Sequence, residues 1–201
     1  MALATLDPAA GPDHVSSPYR SADLPAGSRD PLPGRGASRR QVDLLAVAEG
    51  FAASAGDITE LHGLTDRAWI LLAVTDLFEA WAIGWPPGGR IELHDHGDSH
   101  GAVVVATGSL VETTIQPTEQ GVALLATHRM GAGDRRRFGP RYVHDIINEG
   151  DEQAVSVHVY GPRLTTMTYY RLDGHGRLEA GRTEDVVPVG PFDTTSDHDP
   201  S

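Results

Sequence analysis

The sequence contains no cysteine, and this absence removes several classes of protein at once. Without thiols the chain cannot form a disulfide framework, a thiolate metal site or a cysteine nucleophile. Lysine is absent as well, so all 16 basic residues are arginine. Any metal binding or catalysis must therefore use other side chains.

Basic residues are scarce relative to acids: 28 acids against 16 bases give a formal charge of -12. Nucleic acids and anionic membranes both require a basic face, so neither is expected as a partner. The apolar run Ala68–Val74 is far shorter than the roughly 20 residues of a membrane helix. The first twelve residues do not have the pattern of a signal peptide. We therefore expect a soluble, cytoplasmic, monomeric protein.

The composition changes twice along the chain, which suggests one domain between two tails. Residues 1–40 are rich in proline and glycine, and residues 179–201 are rich in acids and proline. We interpret both segments as flexible tails. Residues 41–178 carry the apolar patterns that a single folded domain needs.

Two kinds of periodicity occur within that domain. Residues 38–55 have helical spacing, with Ser38 as a candidate cap. From Trp69 onward the period is two, in nine short runs separated by Gly, Pro or Asp. This pattern predicts an all-β sandwich or barrel preceded by a short helical segment. The predicted strands are residues 69–74, 78–85, 91–96, 102–106, 110–116, 122–130, 142–148, 154–160 and 166–172.

Three histidines on predicted strands form a candidate metal site. His94 and His96 are two residues apart, so on a strand both imidazoles point to the same face. His144 lies on another predicted strand about fifty residues later. Three neutral nitrogen ligands suit iron, zinc, copper or nickel. The residue types alone leave the choice of metal open.

Glycines flank these histidines at the spacing of a known motif. The arrangement resembles the first cupin motif, through Gly88, His94, His96, Gly101 and Gly108. A looser second motif contains Gly133, Gly139, His144 and Asn148. Gly101 stands where the first motif usually has a glutamate ligand. Three neutral ligands would leave the full charge of a divalent ion uncompensated, which favours an anionic substrate ligand such as a thiolate.

A polar row alternates with valines near the end of the domain. Ser156, His158 and Tyr160 share one face of a predicted strand, and the valines between them share the other. The valines require a core, but the polar face can meet either solvent or the barrel interior. In the second case the serine and histidine would fix the position of the tyrosine hydroxyl.

Together these motifs resemble the cysteine dioxygenase type I family of thiol dioxygenases. The resemblance extends over roughly residues 60–175. It rests on four stretches: the sequence of residues 94–101, Gly108-Ser109-Leu110, His144-x-x-x-Asn148 and the sequence of residues 156–162. It implies a cupin jelly-roll barrel over residues 41–178, with Fe(II) bound by His94, His96 and His144.

The resemblance also implies the chemistry. Cysteine would bind iron through its thiolate and amine, dioxygen would take the remaining position, and both oxygen atoms would go to sulfur to give cysteine sulfinic acid. Tyr160 would hold the bound oxygen or the substrate, while His158 and Ser156 set the position and protonation of that tyrosine. The expected partners are thus a small thiol and O2.

The substrate-binding residues follow from the same resemblance. Enzymes of this family that act on cysteine bind its carboxylate with an arginine, and Arg67 lies close to the matching position. Arg163 is a second candidate, and Trp85 and Met167 are expected to line the pocket. The substrate could instead be another small thiol such as 3-mercaptopropionate. A cupin that binds a metal or ligand without catalysis is an alternative of another class.

Overall fold

The computed structural model of the chain describes residues 42–118 and 122–186. The predicted tail 1–40, the candidate cap Ser38 and residues 187–201 of the second predicted tail lie outside the described residues. None of the helices within the described ranges is long and apolar enough to cross a membrane.

The helical segment begins later than the sequence pattern indicated. Helix α1 spans Leu44–Ala55, and the Asp43 carboxylate caps it by accepting hydrogen bonds from the backbone N–H groups of Leu45 and Ala46. Asp43 is a favourable cap because its oxygen satisfies amides that have no partner within the helix. A short 3-10 turn, Thr59–Leu61, follows.

The rest of the described chain is β-structure in eleven strands. The strands are β1 Ala68–Val74, β2 Glu79–Trp85, β3 Arg90–Asp95, β4 His100–Thr107, β5 Ser109–Pro117, β6 Ala123–Gly131, β7 Arg135–Phe138, β8 His144–Ile147, β9 Ala154–Gly161, β10 Thr166–Leu172 and β11 Leu178–Asp185. They form a five-stranded sheet in the order β1-β2-β9-β4-β7 and a six-stranded sheet in the order β11-β10-β3-β8-β5-β6. All the pairings described are antiparallel.

Two apolar layers hold this architecture together. One lies outside the five-stranded sheet, where α1 packs through Ala48 and Ala55 on the alternating valines of β9. The other lies between the sheets, where Trp85 of β2 and Val103 of β4 pack with Ile146 of β8. This two-sheet, double-stranded β-helix arrangement is the cupin fold, so the predicted fold class is confirmed.

Two strands differ from the sequence analysis. Residues 179–201 were expected to be a flexible acidic tail, but β11 pairs with β10 from Leu178 to Asp185. β7 coincides with Arg135-Arg136-Arg137, a charged stretch in which no strand was expected. Both strands are too polar to show an apolar alternation. Their order comes from strand pairing and from ion pairs with distant acids, such as Arg135 with Glu49 and Arg182 with Glu92.

Candidate active site

Three histidines converge in the barrel interior. His94 near the end of β3 pairs in register with His144 at the start of β8, and His96 follows β3 directly. One nitrogen from each ring can be chosen so that all three lie within 4.8 Å of one another, and all three residues are buried. The predicted trio is thus brought together by the pairing of β3 with β8.

Hydrogen bonds and distances indicate which histidine nitrogens are available to bind a metal. His94 Nδ1 lies 2.7 Å from the Glu92 carbonyl oxygen and donates to it, so Nε2 carries the lone pair. The Nε2 atoms of His94 and His96 are 3.1 Å apart. Two nitrogens that each lie about 2.1 Å from one ion, at right angles, are about 3 Å apart. Among the described residues His144 Nε2 is buried without a hydrogen-bond partner, and so is His96 Nδ1, the ring nitrogen farther from His94. The donor set therefore fits a divalent metal ion.

His94 and His96 are also in the protonation state that a metal requires. Burial, followed by the neighbouring histidines, lowers the pKa of both His94 and His96 well below the ordinary value. Both rings are consequently neutral at neutral pH. A neutral imidazole is the form that binds metals.

The glutamate of the common cupin motif has no room here. Gly101 on β4 pairs with Phe138 on β7, and a Cβ atom at Gly101 would overlap the Phe138 ring. That ring in turn stacks on His96, with the centroids 5.1 Å apart. Phe138 therefore fills the space next to the metal ligands in which a carboxylate side chain from position 101 would lie.

The polar row of β9 faces the barrel interior. Ser156, His158 and Tyr160 are all buried, while the alternating valines contact the layer under α1. The Trp85 indole N–H donates to Ser156 Oγ over 2.8 Å, and Ser156 Oγ is 2.9 Å from His158 Nε2. The Tyr160 hydroxyl is 3.4 Å from His158 Nδ1 and 3.4 Å from His96 Nε2. A chain of polar groups thus runs from Trp85 to the histidine cluster.

The donors and acceptors of these polar groups fix the direction of the hydrogen bonds between them. The indole can only donate, so Ser156 Oγ accepts from it and can use its own proton toward His158 Nε2. Burial, with smaller contributions from His144 and Arg67, lowers the pKa of His158 to about 3, so this ring is neutral. Its remaining proton then lies on Nδ1 and faces the Tyr160 oxygen. Burial and the Glu79 charge raise the pKa of Tyr160, which keeps its phenol protonated and free to donate into the site.

A cavity of about 310 Å³ opens beside the histidine cluster. Its walls include the predicted residues Arg67, Trp85, His94, His158, Tyr160 and Met167. The outer wall includes Glu184, Asp185 and Val186, from β11 and the residue after it. The sequence analysis did not assign these last three residues to the site because it ended the domain at residue 178.

The two candidate arginines occupy different surroundings. Arg67 lines the cavity, where its guanidinium carbon lies 5.5 Å from the ring centroids of both Trp69 and Trp85. Its charge contributes to the lowered pKa of His94 and of His158, as expected for a cation close to both rings. Arg163 instead lies 3.7 Å from the buried Glu79 carboxylate and is not among the described residues that line the cavity.

A buried carboxylate behind His144 was missed by the sequence analysis. Glu112 on β5 is 1% exposed and accepts from His144 Nδ1 over 2.9 Å and from the Tyr142 hydroxyl over 3.3 Å. Arg136 Nε lies 2.8 Å from Oε2, in an ion pair without the direction of a hydrogen bond. Burial alone would raise the pKa of Glu112, but His144, Arg136 and Tyr142 together lower it. The available signal was a single charged residue within an otherwise uncharged strand.

The family model for cysteine dioxygenase type I matches residues 41–172. The chain belongs to the cysteine dioxygenase type I family. The matched region contains the three histidines, the polar row of β9 and Arg67, and it ends at the last residue of β10. With the three-histidine cluster, this membership makes the chain a cupin metalloenzyme of the dioxygenase class. β11 lies beyond the part that matches the family.

Several solved structures are similar to the chain at low sequence identity. TT1209 from Thermus thermophilus is 17% identical with a TM-score of 0.42, covering 49% of this chain and 85% of that one. A protein with a double-stranded beta-helix domain from Klebsiella pneumoniae is 19% identical with a TM-score of 0.39, covering 59% and 86%. An oxalate oxidase is 20% identical with a TM-score of 0.43; the match covers 50% of this chain and 53% of the oxidase.

Proposed function

We propose that the protein is an iron-dependent thiol dioxygenase that converts L-cysteine and O2 to cysteine sulfinic acid. The observation that carries this proposal is a buried cluster of three histidines, without a carboxylate among them, one of which, His94, lines the same cavity as Arg67. The reaction balances as RSH + O2 → RSO2H, in which sulfur is oxidised and both oxygen atoms of O2 are incorporated. No organic cosubstrate is required.

His94, His96 and His144 would hold the metal. Ferrous iron, when bound there, would supply the redox chemistry that joins a thiolate to dioxygen. Because the three ligands are neutral, they leave the positive charge of the ion uncompensated and favour an anionic sulfur ligand. Phe138 contributes by excluding a protein carboxylate from position 101.

Arg67 is the residue that we assign to the substrate carboxylate. A guanidinium binds a carboxylate through two parallel hydrogen bonds, and Arg67 is the candidate that lines the cavity. Trp85 and Met167 would line the part of the cavity that holds the short side chain of the substrate. Arg163 is the alternative candidate for binding the substrate carboxylate, although its guanidinium contacts the buried Glu79 carboxylate.

Tyr160 would donate its phenolic hydrogen bond to a ligand in the cavity. The donors of Trp85, Ser156 and His158 each already have an acceptor within the polar row of β9. These hydrogen bonds hold the Tyr160 hydroxyl and its proton in place. His158 and Ser156 thus act on the position of Tyr160 rather than on the substrate directly.

The cytoplasmic location and the monomeric state expected from the sequence stay predictions.

The direct test is oxygen uptake by protein loaded anaerobically with Fe(II), followed by detection of the sulfinate. We expect one O2 consumed per L-cysteine, and no uptake with any small thiol would exclude a thiol dioxygenase. Cysteamine and 3-mercaptopropionate should be compared in the same assay. A preference for either would retain the chemistry and replace cysteine as the substrate.

Matched arginine variants test the carboxylate assignment. We expect Arg67→Gln to raise KM for L-cysteine about tenfold or more, since a charged hydrogen-bonded contact contributes about 1.5–3 kcal/mol. Cysteamine has no carboxylate, so its KM should change little. Arg163→Gln is the control, and a larger effect on L-cysteine from Arg163→Gln than from Arg67→Gln would reverse the assignment.

A further inference from the structure

The proposed reaction gives no role to the buried carboxylate of Glu112. We propose that Glu112 is a positioning residue for the metal ligand His144, and that it supplies from behind the imidazole the carboxylate that the ligand set lacks. This inference rests on metal binding by the three histidines. It does not depend on which thiol is oxidised.

The geometry fixes one tautomer of His144. An ionised carboxylate can only accept, so the 2.9 Å contact requires a proton on His144 Nδ1. Nε2 must then carry the lone pair, and it is the buried atom without a hydrogen-bond partner. The same bond fixes the plane of the ring, because His144 and Glu112 are both 1% exposed or less and closely packed.

Glu112 differs from the group that orients His94. His94 donates to the neutral backbone carbonyl of Glu92, whereas His144 donates to a charged acceptor. A hydrogen bond to a carboxylate is roughly twice as strong as one between neutral groups. It also makes the opposite ring nitrogen a better donor to a metal. His144 is therefore expected to be the ligand that depends most on its supporting residue.

The surroundings hold the carboxylate rigidly. Arg136 from β7 lies 2.8 Å from Oε2, and the Tyr142 hydroxyl donates to Oε1, the oxygen that also accepts from His144. Placing an unpaired charge at 1% exposure would be strongly unfavourable, and these partners offset that cost. Asp95, which lies between two of the ligands in sequence, is already bonded to the Gly97 amide and the Tyr170 hydroxyl.

Metal affinity, measured without any thiol, tests the proposal. We expect Glu112→Ala to weaken binding of Fe(II) or Zn(II) about 10- to 100-fold in competition with a chelator, as the loss of a group that supports a metal ligand commonly does. Glu112→Gln should bind with intermediate affinity, because its amide oxygen still accepts from Nδ1 but the charge is gone.

Glu79→Gln is the matched control. Glu79 is also a buried carboxylate, but its partners are Arg163 and the Leu164 amide rather than a histidine ligand. We expect it to lower thermal stability and to leave metal affinity within about twofold of the wild type. Wild-type metal affinity in both Glu112 variants would overturn the proposal. If Glu112→Ala does not fold, wild-type affinity of Glu112→Gln alone is sufficient to overturn it.

The midpoint potential of bound iron is a second measurement. Removing a negative charge near the metal destabilises the ferric state more than the ferrous one, so the potential of Glu112→Gln should rise. A role confined to packing would not produce that shift. If the wild type binds iron as expected but oxidises no thiol, the proposed function fails while this inference can still be judged from the metal affinities.

Discussion

Gly101 and Phe138 lie opposite each other on β4 and β7, and their packing decides which ligands the site can have. Position 101 was recognised from the sequence as the missing glutamate of a cupin motif. The residue that fills the space was not, because nothing in the sequence links Phe138 to a strand 37 positions away. The three histidines could be predicted because their spacing itself carries the signal. The roles of Phe138, Glu112 and Tyr142 could not, since they depend on contacts with residues that are distant in sequence.

We expect Gly101→Ala to lower the free energy of unfolding by about 1–3 kcal/mol, the usual cost of overpacking a core. The added methyl group would overlap the Phe138 ring, which is confined by His96 on one side and by Tyr142 on the other. Urea unfolding measures the change. Gly139→Ala is the control, because no atom lies within 4 Å of a Cβ at that position.

The double variant Gly101→Ala/Phe138→Leu tests the cause. If the clash is responsible, the loss in the double variant should be smaller than the sum of the two single losses. Strict additivity would show that Gly101 is required for another reason.

At the scale of elements, apolar alternation located nine strands, and each of them has a counterpart in the structure. β9 shows why, since its valines contact α1 while its polar side chains face the site. β7 and β11 were missed because neither sequence shows an apolar alternation, and in β7 three arginines precede the single apolar residue Phe138. Arg136 and Arg137 of β7 pair with Glu112 and Asp43, which are distant in sequence. Similarly, Arg182 of β11 places its guanidinium carbon 3.8 Å from the centroid of the Tyr169 ring.

β11 contributes to the cavity wall, so loosening it should affect substrate binding. Arg182 contacts the Tyr169 ring and pairs with both Glu184 and Glu92, and Tyr169 lines the cavity beside His94. We expect Arg182→Ala to raise KM for the thiol about two- to fivefold, the scale of an exposed cation–π contact and exposed ion pairs. The amount of iron bound per protein should not change. Steady-state kinetics at low ionic strength provides the measurement.

Arg171→Ala is the matched control in the same hairpin. Arg171 pairs with Glu179, and neither residue lines the active-site cavity, whereas Tyr169 and Glu184, the partners of Arg182, both do. Equal increases in KM for both variants would mean that general loosening of the hairpin, rather than the cavity wall, is responsible.

For the whole molecule, the buried neutral histidines couple stability to pH. The pKa values of His94, His96 and His158 are all lowered by burial, that of His158 to about 3. In the unfolded chain these histidines take up protons as the pH falls below the ordinary histidine pKa of 6.5. In the folded chain their lowered pKa values keep them neutral over the same range. Since the unfolded state then binds more protons, the free energy of unfolding falls as the pH falls below about 6.5.

We therefore expect the metal-free protein to lose up to about 1.4 kcal/mol per pH unit for each such histidine as the pH falls from about 6.5. Three histidines acting together would make unfolding steep between about pH 6 and pH 5, which thermal melts at fixed ionic strength would show. His158→Gln removes one group that is not a metal ligand, so its pH slope should be smaller by about one proton. An unchanged slope would mean that His158 is already protonated in the folded protein. Both ring nitrogens would then donate, so the hydrogen bond with Ser156 would run from His158 Nε2 to Oγ.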